Sequence, residues 1–105
     1  MNINICVQYM ELFTFETAVQ SVVKLAVAPA NDEKLRIYCL YKQATVGDIN
    51  IPKPGFFDFA GHAKWNAWNG EVGKTSEIAK AEYVDFVTSL IAKYGLIATP
   101  TIESV

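Results

Sequence analysis

Proline and glycine cut this chain into four stretches of helix-period apolar residues, and nothing between them alternates with period two for long enough to make a strand. In the first stretch, from Phe13, the residues Phe15, Ala18, Val19, Val22 and Leu25 follow one helix face, and Pro29 closes it. Asn31 is placed to cap the second, with Asp32 and Glu33 in the first turn, where the helix dipole favours acids. That helix is predicted from about Asp32 to Val46, stopping at Gly47. The segment Gly47 to Gly55 carries two Pro and two Gly in nine residues, so it reads as a loop that wraps the surface. A short third helix is predicted from Phe57 or Ala60 to Trp68, punctuated by Asn69-Gly70 and Gly73. Thr75 or Ser76 caps a last helix whose stripe is Ala79, Tyr83, Phe86, Val87, Leu90 and Tyr94, with Gly95 just past its end. Periodicity alone therefore predicts an all-α, four-helix domain.

Composition narrows the function. The chain has 105 residues, 51% of them hydrophobic, enough for one core and too apolar for disorder. Net charge −2 disfavours a broad basic surface for nucleic acid. One His and two Cys are too few for a multi-ligand zinc or iron–sulfur site, so no metal is expected. Cys6 and Cys39 form no CxxC pair and read as two inert thiols. The first Lys or Arg is Lys24, so the start lacks a secretory n-region; no apolar run is long enough to span a bilayer, and the cytosol is the expected compartment. No nucleotide-loop, nucleophile-elbow or zinc-protease motif occurs. His62, between Gly61 and Ala63, reads as an exposed or capping imidazole, and no catalytic residue is expected.

Two constellations remain. At about 100° per residue, Tyr38, Tyr41 and Lys42 share one arc of the second helix. They form either a core stripe with a snorkelling lysine or a ligand face. Lys64-Trp65-Asn66-Ala67-Trp68 is either a packed Trp pair or the source of a second cation. If Lys42 and Lys64 converge, ammonium groups, phenols and an aromatic face suit a phosphorylated nucleotide without any general basic patch.

Those same residues carry a resemblance. Tyr38 to Asn50, YCLYKQATVGDIN, followed by PKPGFFDFAGHAKWNAW, strongly resembles the acyl-CoA-binding protein family, in a register that extends from Phe15 to about Gly95. The resemblance implies an up-down-down-up four-helix bundle that binds long-chain fatty acyl-CoA esters without a covalent step and without a cofactor. By position, Tyr41 would stack on adenine, Lys42, Lys64 and the Tyr38 hydroxyl would hold the ribose 3′-phosphate, and Tyr83 would complete the head-group site. Tyr38, Tyr41 and Tyr83 are thereby assigned to the ligand rather than to the core. Leu35 would contribute to an apolar groove for the acyl tail. Acyl-CoA-using enzymes are the implied partners, and a monomer is the expected state.

The chain departs from the family where a Lys is common but Val23 and Ala60 stand; Lys24 and His62 lie close by. These losses keep a second reading open, a helical protein-interaction module with weakened ligand binding. An acyl-CoA-consuming enzyme is disfavoured for want of a nucleophile or base. The expected organisation is an N-terminal extension over 1–12, the binding domain over 13–97 and a tail over 98–105. The apolar extension reads as a partly ordered tail, an extra turn of helix or an oligomer contact.

Overall fold

The computed structural model describes residues 14–97. Cys6, Phe13, the N-terminal extension and the tail lie outside the described residues. Four helices follow in order: α1 (Phe15–Val22), α2 (Asn31–Thr45), α3 (Phe59–Asn69) and α4 (Ser76–Tyr94). They form the up-down-down-up bundle, in which α4 packs on both α1 and α2 while α2 also packs on α3. The central cluster is Ala18, Cys39, Leu40, Tyr83 and Val87, drawn from α1, α2 and α4.

α1 is shorter than the apolar period predicts. Leu25 is buried as expected, but its backbone is extended and bridges antiparallel to Leu96. Ala26 N donates to Gly95 O at 2.8 Å and Ile97 N to Lys24 O at 2.7 Å, so main-chain groups that a longer helix would use are paired elsewhere.

The start of α2 also differs: Ala30, not Asn31, is the N-cap. The reason is Glu33, whose Oε1 accepts the Ala30 N–H at 2.9 Å, the half of a capping box that needs no side chain on the cap residue. The same carboxylate takes Lys93 Nζ at 2.8 Å and the Tyr94 hydroxyl at 2.6 Å, clasping the end of α4 to the start of α2. Hydrogen bonds from Lys93, then Tyr94, then the Ala30 amide lower the Glu33 pKa from 4.5 to about 2. A depressed carboxylate stabilises the fold above its unfolded pKa, and that contribution disappears as pH falls through the folded one. Urea midpoints should therefore drop between pH 4.5 and about 2. In Glu33→Gln the drop should be smaller; an identical acid profile in the variant overturns the assignment.

Asp58 caps α3, its Oδ1 accepting Gly61 N at 2.9 Å. A methyl group on residue 61 would run into the Asp58 carboxylate, which explains glycine inside this helix. The loop from Gly47 to Gly55 is held by the two indoles. Trp68 Nε1 donates to Gly47 O at 2.8 Å and Trp65 Nε1 to Ile51 O at 2.9 Å. Gln43, 1% exposed, adds a second brace: its Nε2 donates to Asp48 Oδ1 and to Lys74 O, both at 2.8 Å. Asp48 Oδ1 also accepts Gly73 N at 2.9 Å. One carboxylate thus ties the loop before α3 to the turn after it.

Candidate functional site

A cleft of about 360 Å³ opens between α2 and α3. Its α2 wall is Lys34, Leu35 and Tyr38, and its α3 wall is Ala60, Ala63 and Lys64. The lining is mainly apolar with ammonium groups at its edge, a form suited to a ligand with a hydrocarbon part and an anionic part. On α2, Asn31, Lys34, Leu35 and Tyr38 stand at i, i+3, i+4 and i+7, so a single helix face supplies that wall. Asn31 and Lys34 join the sequence-predicted Leu35 and Tyr38 on this wall, and their i, i+3, i+4, i+7 spacing is the signal that marks them.

Leu35, Tyr38 and Lys64 come together in the cleft. Lys64 Nζ stands 5.6 Å from the centre of the Tyr38 ring. Lys42 lies elsewhere along α2, its Nζ 5.0 Å from the centre of a Trp68 ring. Cation–π contact of this kind holds a lysine in place while leaving its donors free for an anion. The two contacts lie one helical turn apart on both helices, Tyr38 to Lys42 on α2 and Lys64 to Trp68 on α3.

Tyr41 and Tyr83, 6.3 Å apart between ring centroids, share a third ring from the apolar face of α1. Phe15 stacks on Tyr41, with centroids 6.0 Å apart and planes at 19°, and meets Tyr83 edge-on at 5.0 Å. Tyr41 remains 39% exposed, enough to offer ring surface to a ligand. Tyr83 is 2% exposed and belongs to the central cluster. Its assignment to the ligand rather than to the core is therefore corrected: the ring is core, and any role at the site falls to what remains of its edge. Burial first, and Tyr41 second, push its phenol up to about 12. It stays protonated, a hydrogen-bond donor rather than an anion.

The Trp pair divides in the same way. Trp68 is 1% exposed and belongs to the core, whereas Trp65 is half-buried on the loop. Cys39 is buried, its Sγ 3.4 Å from Arg36 O and 3.6 Å from a Glu71 oxygen. Burial, then the Glu71 charge, raise its pKa, which makes it a poor nucleophile. Glu71 also joins Arg36, Lys74 and Glu82 in a four-membered ion-pair ring between α2, the α3–α4 turn and α4. Val23 is exposed on the turn after α1, and Ala60 lies in the cleft wall. Among the described residues, no cluster of His, Cys, Asp or Glu could hold a metal, and no helix is long and apolar enough to cross a membrane.

Helix order and the lysine-edged cleft define a four-helix bundle with an apolar opening between α2 and α3. The profile of the family described as "Acyl CoA binding protein" matches residues 13–87. The chain is 50% identical over 81 residues to an acyl-CoA-binding protein homolog of Drosophila melanogaster, covering 77% of this chain and 94% of that one. The crystal structure of Oryza sativa Acyl-CoA-Binding Protein 2 superposes with a TM-score of 0.72 at 38% identity, covering 75% of this chain and 88% of the rice chain. A rat enoyl-CoA delta isomerase 2 is 51% identical over 76 residues, which are 72% of this chain but 19% of that protein. The chain belongs to the acyl-CoA-binding protein family.

Proposed function

We propose that this protein binds long-chain fatty acyl-CoA esters without a covalent step and carries them to enzymes that use them. The observation that carries the reading is the α2–α3 cleft, apolar along Leu35, Ala60 and Ala63 and edged by Lys34, Tyr38 and Lys64. In this reading Lys42, Lys64 and the Tyr38 hydroxyl hold the 3′-phosphate, because a dianion favours ammonium and phenol donors in charge-assisted hydrogen bonds. The exposed Tyr41 ring stacks on adenine, and Leu35 lines the tail groove. The edge of Tyr83 closes the head-group site from below. The similar segment makes up 19% of the rat isomerase, so its likeness does not extend catalysis to this chain. The protein acts as a monomeric cytosolic carrier and releases no CoA thiol from its ligand.

Isothermal titration tests this. The ester should bind tightly, and free CoA and the free fatty acid much more weakly; no heat with any acyl chain refutes the proposal. Lys42→Ala should weaken ester binding by about ten- to a hundredfold, the loss of one charge-assisted hydrogen bond. Its helical circular dichroism should stay unchanged. If the variant unfolds instead, Lys42 serves Trp68 and the core rather than the ligand.

A further inference from the structure

The α2–α3 cleft has a polar end that the head-group assignments leave unused. Lys64 faces Tyr38 and Lys42 faces Trp68, so the two helices run side by side in the same direction. One turn before the Tyr38–Lys64 pair stand Lys34 on α2 and Ala60 on α3, and Asn31 lies a further turn back. From Tyr38 to Asn31 the cleft therefore extends roughly 10 Å along α2, at about 1.5 Å per residue. Leu35 and Ala63 make its middle apolar.

The carboxylates close to this end in sequence are engaged elsewhere or turned away. Glu33 takes Ala30 N, Lys93 and Tyr94, and Asp58 takes Gly61 N. Asp32, two positions before Lys34, looks out from another side of the helix. Among the described residues the ion pairs of the fold leave Lys34 out. Its exposed side chain stands at the rim of the cleft, across from the methyl group of Ala60.

In the carrier reading the head group lies toward Lys42, Tyr38 and Lys64, and the tail runs past Leu35 toward the start of α2. The far end of the tail then meets Lys34 and Asn31. A methyl end gains nothing from an ammonium, and covering one removes its water without a compensating partner. A carboxylate at that end would accept charge-assisted hydrogen bonds from Lys34 Nζ and a further bond from the Asn31 amide.

We infer that Lys34 and Asn31 form a subsite for a terminal carboxylate, so that the cleft takes CoA monoesters of α,ω-dicarboxylic acids as well as plain fatty acyl-CoA. The inference rests on the carrier reading and adds to it the class of tail that the cleft admits.

Calorimetry on the full chain compares plain and ω-carboxy acyl-CoA esters of eight, twelve and sixteen carbons, with free CoA as the head-group control. In the parent the ω-carboxylate should cost least affinity at the chain length that brings it to Lys34. Lys34→Met should weaken the ω-carboxy ester of that length by roughly fivefold, the worth of one exposed charge pair, while the plain ester binds as well or better. Lys34→Arg, which keeps the charge, should retain ω-carboxy binding. Circular dichroism checks that both variants keep their helices. Equal weakening of both esters and of free CoA by Lys34→Met would make Lys34 a head-group contact and overturn the subsite. No change in either ester would mean that the lysine stem passes over the tail with its ammonium in water, which overturns it as well. If the parent binds no plain ester, the carrier reading fails and the subsite falls with it. Plain-ester binding together with an ω-carboxy series indifferent to residue 34 refutes the subsite alone.

Discussion

Trp68→Ala should lower the unfolding free energy by about 3–5 kcal/mol, the cost of removing a large aromatic side chain from a core site. Trp68 is 1% exposed, carries Lys42 over its face and holds the Gly47 carbonyl through Nε1. Removing it opens a void under α2 and releases the first carbonyl of the loop together. Trp68→Phe separates the two effects. It keeps most of the apolar volume and loses the indole N–H, so it should cost about 1–3 kcal/mol through the orphaned carbonyl. Urea unfolding measures both. A loss below about 1 kcal/mol for Trp68→Ala would mean the site collapses freely and the indole is not the keystone of the loop.

Extending the acyl chain should tighten binding by roughly fourfold per methylene, from about 0.8 kcal/mol for each CH₂ withdrawn from water. Esters of eight, twelve and sixteen carbons share one head group, so the slope reports the tail alone. The gain should level off once the tail outgrows the cleft, whose volume is about 360 Å³. Calorimetry across the series gives the slope directly. A flat series would show that the tail stays in solvent and that the head group alone accounts for affinity.

The helices were legible because their apolar spacing and their breakers agree. Gly47 and Gly95 lie where the sequence ends α2 and α4, and both have positive φ, at 99° and 76°. What failed was local reading overruled by distant partners. Asn31 is a better cap than alanine in isolation, but Glu33 is fixed from α4 by Lys93 and Tyr94 and reaches back to Ala30. Leu25 has helical spacing, yet Leu96 pairs with it. Tyr83 packs in the core although the resemblance aligns it with the ligand set, because burial is a property of the packed bundle that one helix cannot reveal. Part of the cleft was visible in the Tyr38–Lys64 pairing, through the resemblance more than through spacing. The stretch Gln43 to Asp48 carries part of the family resemblance. Gln43 and Asp48 brace the loop and the turn on either side of α3, so part of that resemblance is architecture.

The pairing of Leu25 with Leu96, together with the packing of α1 on α4, bears on how the chain is made. Of the four described helices α1 leaves the ribosome first, and α4, its main partner, leaves last. Seventy-one residues separate the bridged positions, and synthesis at roughly 5–20 residues per second puts an interval on the order of 4–14 s between them. Throughout that interval Phe15 and Ala18 have no α4 to cover them. An eight-residue helix is too short to persist alone in water. Nascent α1 therefore waits as unstructured chain with its apolar residues accessible to chaperones, and the bundle closes only when translation has delivered its far end.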